Sequence, residues 1–199
     1  MATIKTAVEL ALEKTQGLKA DRTGAEREDA RKAGRVLASR FLDQPDGVDF
    51  QGEISKWKKP LDEPAREGAA EAFLSRVQLP RDKASATALE AVGRGLAALA
   101  RGLGSDKRVV SIVKDMAAFL NRYLEDVARV EEGLMRQYAP KLRQKEDELA
   151  RRTGQDVRID PRRDPEYLAL LSKALGQVKG QYQDALDRAK EELKAIVLG

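Results

Sequence analysis

The chain has 199 residues, 37 of them Lys or Arg and 33 Asp or Glu, giving a formal net charge of +4 with neither histidine nor cysteine. That composition excludes disulfides, thiol nucleophiles, zinc sites built on Cys or His, iron–sulfur clusters, and Ser–His–Asp or Cys–His catalysis. What remains for chemistry is carboxylate, Lys, Tyr, Ser or Thr, or an oxygen-ligated metal, and the interleaved charges read as solvated helix faces, not as a nucleic-acid footprint.

No apolar run is long enough to span a bilayer. The first residues carry Glu9 and Glu13 and no apolar signal core, so a cytoplasmic location is expected. Thr6-x-x-Glu9 has capping-box spacing, and Ile4, Ala7, Val8, Ala11 and Leu12 share one face of a short first helix. Gly17 to Gly24 then reads as a polar linker. A second helix is expected from Thr23 or Ala25 to about Asp43, with a second capping box at Thr23-x-x-Glu26 and a close-packing face of Ala30, Ala33, Leu37 and Phe41.

The stretch Ile4-Lys5-Thr6-Ala7-Val8-Glu9-Leu10-Ala11-Leu12-Glu13-Lys14-Thr15, followed by Leu37-Ala38-Ser39-Arg40-Phe41-Leu42, resembles a group of small uncharacterised bacterial helical proteins, a domain of unknown function. The resemblance implies an all-α domain and carries no catalytic residue to transfer.

Gln44 to Leu61 reads as the longest irregular segment. Asp46, Gly47 and Glu53 fall at positions five, six and twelve of a calcium loop, but Leu42 and Gln44 stand where its first carboxylates belong, so the segment reads as an acidic turn. Its end, Lys56-Trp57-Lys58-Lys59, has two readings. A Trp between lysines can stack a base or sit at a membrane surface, but more often it plugs the edge of a helical core while the lysines reach water.

Asp62 as N-cap with Pro64 in the first turn starts a third helix, with Ala65, Ala69, Ala72, Phe73 and Val77 inward, and Leu79-Pro80 ends it. Asp82 caps a fourth, with Leu89, Val92, Leu96, Leu99 and Leu103. Within it Gly93-Arg94-Gly95-Leu96-Ala97-Ala98 matches the dinucleotide fingerprint in form. That mechanism needs a strand before the first glycine, whereas Ser85 to Val92 is helical in pattern. Glycines that admit a neighbouring helix are the better reading.

Ser105 to about Arg152 reads as one very long amphipathic helix. Ser105 is its N-cap, and Val109, Ile112, Met116, Phe119, Tyr123, Val127, Val130, Leu134, Tyr138 and Leu142 recur every three or four residues. A second stripe, Val113, Ala117, Leu120, Leu124 and Ala128, widens the buried face of the first half. Pro140 predicts a kink or break near Gln137–Pro140, and the charged run from Lys141 to Arg152 is expected to project into solvent. If unbroken, this helix would span roughly 70 Å at 1.5 Å per residue. The acidic pairs Glu125-Asp126 and Glu131-Glu132 should face water.

Thr153-Gly154 ends the long helix, and Asp164-Pro165-Glu166 starts a return helix. Its stripe runs Tyr167, Leu168, Leu171, Leu175, Val178, Tyr182, Leu186, Ala189, Leu193, Ile196 and Val197, which makes an antiparallel hairpin the natural arrangement. Val157-Arg158-Ile159 alternates like a strand but is too short to be one. Arg151, Arg152, Arg158, Arg162 and Arg163 gather at the turn, broken by Asp156, Asp160 and Asp164. They suggest a phosphate-binding tip, or, more blandly, arginines that cap helix carbonyls and pair with those aspartates.

The sequence therefore predicts an all-α single domain over 1–199: short helices over 1–104, packed on the first half of a long helical hairpin over 105–199. It names no catalytic residue, cofactor or metal ligand. The expected role is a non-enzymatic scaffold or adaptor that binds protein, with a second copy of itself as the first candidate. The alternative is a nucleic-acid-binding protein using the arginine tip and the Lys56–Lys59 loop.

Overall fold

In the computed structural model, which describes residues 7–199 and the side chains of 23–82 and 89–199, the regular elements among the described residues are all helical. They are α1 (Ala7–Asp43), α2 (Phe50–Ser55), α3 (Asp62–Ser75), α4 (Lys83–Arg101), α5 (Asp106–Thr153) and α6 (Pro165–Leu198), with a single 3₁₀ turn at Pro161–Arg163. The chain divides into two compact units. One comprises residues 1–77, 89–113 and 191–199, the other 78–88 and 114–190, so α4, α5 and α6 each contribute to both.

The expected linker Gly17–Gly24 is helical, and Thr23 lies inside α1, where it cannot be an N-cap. Glycine weakens a helix interior by about 1 kcal/mol relative to Ala but does not end it when the flanks are Lys, Glu, Arg and Ala. The expected cap at Thr6 and the apolar face of Ile4 to Leu12 lie outside the described residues and side chains.

The face of α1 that packs is Ala30, Gly34, Ala38 and Phe41, whereas Ala33 and Leu37 are only half-buried. The reason is the partner. Gly34 sits against α3 so closely that a Cβ there would lie 1.9 Å from the Ala65 carbonyl oxygen. Reciprocally, a Cβ on Gly68 would lie 1.9 Å from the Arg31 carbonyl oxygen. Two antiparallel helices meet glycine to backbone, and only small residues fit the line of contact. At its rim Arg35 bonds Glu71 at 2.9 Å, and Arg31 pairs with the same carboxylate. Burial alone would raise the Glu71 pKa, but the Arg31 and Arg35 hydrogen bonds outweigh it and hold the pKa low.

Helix α2 forms inside the segment expected to be irregular. The Asp49 carboxylate accepts from the Gly52 amide at 3.0 Å, and Phe50 and Ile54, four residues apart, are buried. Phe50, Phe41 and Phe73 then make an aromatic cluster with centroids 5.1–5.9 Å apart. Gly95 of α4 lies against it, since a Cβ there would come within 2.2 Å of the Phe73 ring. A Cβ on Gly93 would meet Val113 of α5 at 2.7 Å. Both glycines of the G-x-G match are thus packing residues inside a helix.

Helix α3 begins at Asp62, with Leu61 rather than Asp62 at the cap position, and ends at Ser75, before the expected Leu79-Pro80 stop. Helix α4 begins at Lys83, directly after Asp82, and buries Leu89, Val92, Leu96 and Leu99, while Leu103 falls beyond its end and is exposed. Gly104, at φ +70°, turns the chain in the left-handed region, and the Val109 amide then bonds the Ser105 carbonyl to open α5. The half-buried Arg66 ties this unit together, donating to the carbonyls of Leu99 at 2.8 Å and Val197 at 3.0 Å.

Candidate functional site: an open groove on the helical hairpin

The second unit is built on α5 from Lys114 and α6 to Lys190. Near its middle Tyr182 packs against Phe119 and Tyr123, with centroids 4.8 and 5.1 Å away. Its hydroxyl donates to Asp126 at 2.6 Å. Burial first, and the Asp126 carboxylate second, push the Tyr182 pKa up. Asp126 is therefore half-buried and engaged, which corrects the expectation that both acidic pairs face water, while Glu125, Glu131 and Glu132 do face it.

The turn end is held by a polar lock. Asp164, only 4% exposed, accepts from the amides of Glu166 at 2.9 Å and Tyr167 at 3.3 Å, as an N-cap should. Its other oxygen takes the Lys145 ammonium at 2.6 Å, and Lys145 also donates to the Tyr138 hydroxyl at 2.8 Å. That hydroxyl donates to Glu166 at 3.3 Å, and Lys141 pairs with the same carboxylate. The Lys145 hydrogen bond, helped by the two amides, holds the Asp164 pKa down at about 2, and the same bond raises that of Lys145. The rings of Tyr138 and Tyr167 lie tilted against each other, their centroids 5.4 Å apart.

The lock explains two departures from expectation. Helix α5 does not break at Pro140, because Tyr138 on one side and Lys141 and Lys145 on the other are all fastened to the start of α6. The charged run after Pro140 does not simply project into solvent either. Lys145 is held in the lock, and Glu146 accepts from the Ile159 amide at 2.9 Å. Gly154, at φ +69°, ends α5 where expected.

Beside the lock lies a groove of about 730 Å³. Its floor is Met135, Tyr167, Leu168 and Leu171, and its rim carries Glu131, Glu132, Arg136 and Arg162. Leu168 is 43% exposed. Most of the stripe residues above it, including Tyr123, Leu124, Val127, Val130 and Leu134 on α5 and Leu175 and Val178 on α6, are only half-buried.

The residues singled out in the sequence fall in both units. Lys56, Lys58 and Lys59 are exposed around a half-buried Trp57, and Lys56 pairs with Glu53. Asp46 pairs with Arg94 at 2.9 Å. At the hairpin turn Arg158 reaches Glu146 at 3.9 Å and Arg163 reaches Asp160 at 4.0 Å. Arg151, Arg152 and Arg162 are exposed and form no ion pair among the described residues, and Arg162 alone of the five lines the groove. Sequence reasoning found the Asp164 cap but missed Lys145, because a Lys in a run of charges carries no sign of its partner. It missed the groove as well, although Leu168 and Met135 are apolar residues at the margins of their stripes.

Residues 51–195 match the family described as "Family of unknown function (DUF6657)". The chain belongs to this family. The matched stretch takes in α3 to α5 and nearly all of α6, including the lock and the groove, so these are features of the part of the chain that family membership covers. The stretches Ile4–Thr15 and Leu37–Leu42, on which the resemblance to an uncharacterised helical family rested, lie before it. No curated protein and no solved structure matches the chain. Among the described residues no helix is long and apolar enough to cross a membrane.

Proposed function

We propose that this chain is a non-enzymatic helical scaffold or adaptor that acts by binding protein, with the α5–α6 groove as its docking face. The observation that carries the reading is the incomplete burial of two long apolar stripes, with Leu168 the most open of their large residues. Among the described residues, α5 and α6 leave part of each stripe open, and helical bundles close such a layer with further helices. Rim charges of both signs suit a helical partner with an apolar seam and mixed flanks better than a polyanion. Without His or Cys the residues here also lack the usual bundle-site chemistry, Glu-x-x-His.

The test is a photo-crosslinking residue placed at Leu168, compared with one at Val110, which is exposed in the other unit. Protein adducts from position 168 and none from 110 are the expected result. Adducts to nucleic acid alone, or none, would overturn the reading.

One observation favours a second reading, the exposed Arg151, Arg152 and Arg162, which form no ion pair among the described residues. Were they a phosphate-binding tip, affinity for an oligonucleotide would fall steeply with salt and would drop on triple substitution by Gln. Absence of binding at low salt would remove it.

A further inference from the structure

The outer face of α5 carries a charge pattern that is complementary to itself. Glu125, Ala128, Glu132, Arg136, Ala139 and Arg143 follow one another at steps of three or four residues, so they share a helix face. All four charged residues of the series are exposed, and Met135 of the groove floor lies beside them. The acids occupy the N-terminal half and the bases the C-terminal half. Glu125 and Arg143 form no ion pair among the described residues, and Glu132 and Arg136 reach only each other, at 3.7 Å across two highly exposed side chains. Arg129 is the one base within the acidic half, and it is taken by Asp126 at 3.0 Å.

From this pattern we infer that the groove is filled by a second copy of the chain, with the two α5 helices antiparallel about a two-fold axis at the level of Leu134. The inference rests on the reading that this face binds protein, and it names the partner. A two-fold interface places residue i against j and j against i. About that level Glu132 faces the second copy's Arg136, and Glu125 faces the second copy's Arg143, each pair occurring twice. Ala128 and Ala139 fall within one residue of each other across the axis and let the helices approach, while Met135 of each copy covers apolar floor that includes Leu168 and Leu171. On α6, Ser172, Gly176 and Gly180 follow Leu168 at steps of four with at most a small side chain at each; a Cβ on either glycine would meet nothing within 4 Å. Two hairpins paired in this way form a four-helix bundle. A parallel arrangement would set acid on acid and base on base, so the charges select the antiparallel one.

The test uses two charge-reversed full-length chains, Glu125→Arg/Glu132→Arg and Arg136→Glu/Arg143→Glu, followed by sedimentation equilibrium. All four positions are exposed, and circular dichroism checks that both variants keep the wild-type helix content. The wild type is expected to dimerise, and each variant alone to do so at least about tenfold more weakly, because like charges then face each other. An equimolar mixture of the two should recover dimers, since one copy is then basic throughout and the other acidic throughout. A wild type that stays monomeric to high concentration overturns the inference. So does a dimer that neither variant weakens, or one that the mixture fails to restore. In each of those cases protein adducts at Leu168 would leave the wider protein-binding reading standing, and their absence would remove both.

Discussion

Substituting Gly34 by Ala and Gly24 by Ala, on the same helix, should change stability in opposite directions. At Gly24 a Cβ meets nothing within 4 Å, so the variant gains only the helix propensity of Ala, about 0.5–1 kcal/mol. At Gly34 the new Cβ would sit 1.9 Å from the Ala65 carbonyl oxygen, against about 3.3 Å for an ordinary close C···O contact. Backbone atoms cannot rotate out of the way, so α1 and α3 must part by about 1 Å, which forfeits a quarter to a half of each contact's dispersion along the seam. Overpacking of this kind typically costs about 1–3 kcal/mol, and a backbone clash belongs at the upper end, so about 2 kcal/mol remains after the propensity gain. For a chain of this size that lowers Tm by roughly 4–8 °C, whereas Gly24→Ala raises it by roughly 1–4 °C. Trp57 is the sole tryptophan and lies in the same unit, so urea titrations followed by its fluorescence read the relevant transition. Gly68→Ala should behave like Gly34→Ala, and the double variant should cost less than the sum, since helices already parted have room for the second methyl. If Gly34→Ala were neutral or stabilising, the glycine-to-backbone contact would be wrong.

Asp164→Asn keeps a cap acceptor but loses the charge that Lys145 holds. A carboxylate whose folded pKa is about 2, below its ordinary 3.8, stabilises above pH 3.8 and loses that contribution as pH falls through 2. The Tm gap between wild type and variant should therefore be full at about pH 6 and close toward pH 2, and a gap independent of pH would contradict the lock. Phe73→Ala removes a fully buried ring from the Phe41–Phe50 cluster and should cost about 3–5 kcal/mol by urea denaturation. Tyr182→Phe leaves the ring stack in place but takes the donor from Asp126, for a loss of about 0.5–1.5 kcal/mol, and no loss would mean the bond contributes nothing. Trp57→Ala should lower Tm if the half-buried ring plugs the first unit, while unchanged stability would point to a surface role.

What the sequence made legible was the part written in apolar periodicity and caps. The stripes of α5 and α6, the Ser105 and Asp164 starts and the Gly154 stop are local signals, and each falls where the spacing placed it. Helix α1 runs longer than its glycines suggest, because an interior glycine weakens a helix without ending it. Gly17 and Gly24 lie inside the helix, while Gly34, with Gly68 opposite, lets α1 and α3 meet backbone to backbone. A glycine's meaning depends on the helix opposite it, and one sequence does not show which helix that is. The same holds for α2, whose two buried residues, Phe50 and Ile54, acquire their significance from Phe41 and Phe73 some distance away in the chain.

The candidate site was less legible for a related reason. Its lock pairs residues separated by up to 28 positions, Tyr138 with Glu166, and its strongest member, Lys145, looks in sequence like any other charge on a solvated helix. Pro140 likewise argued for a break, yet a proline removes one backbone bond while the lock fastens the helix on both sides of it. The self-complementary face is different in kind. Glu125, Glu132, Arg136 and Arg143 could have been read from spacing alone, but spacing does not say which faces of α5 are spent on α6. Only once Tyr123, Val127 and Tyr138 are turned toward the return helix does the charged series emerge as a surface still open to a partner.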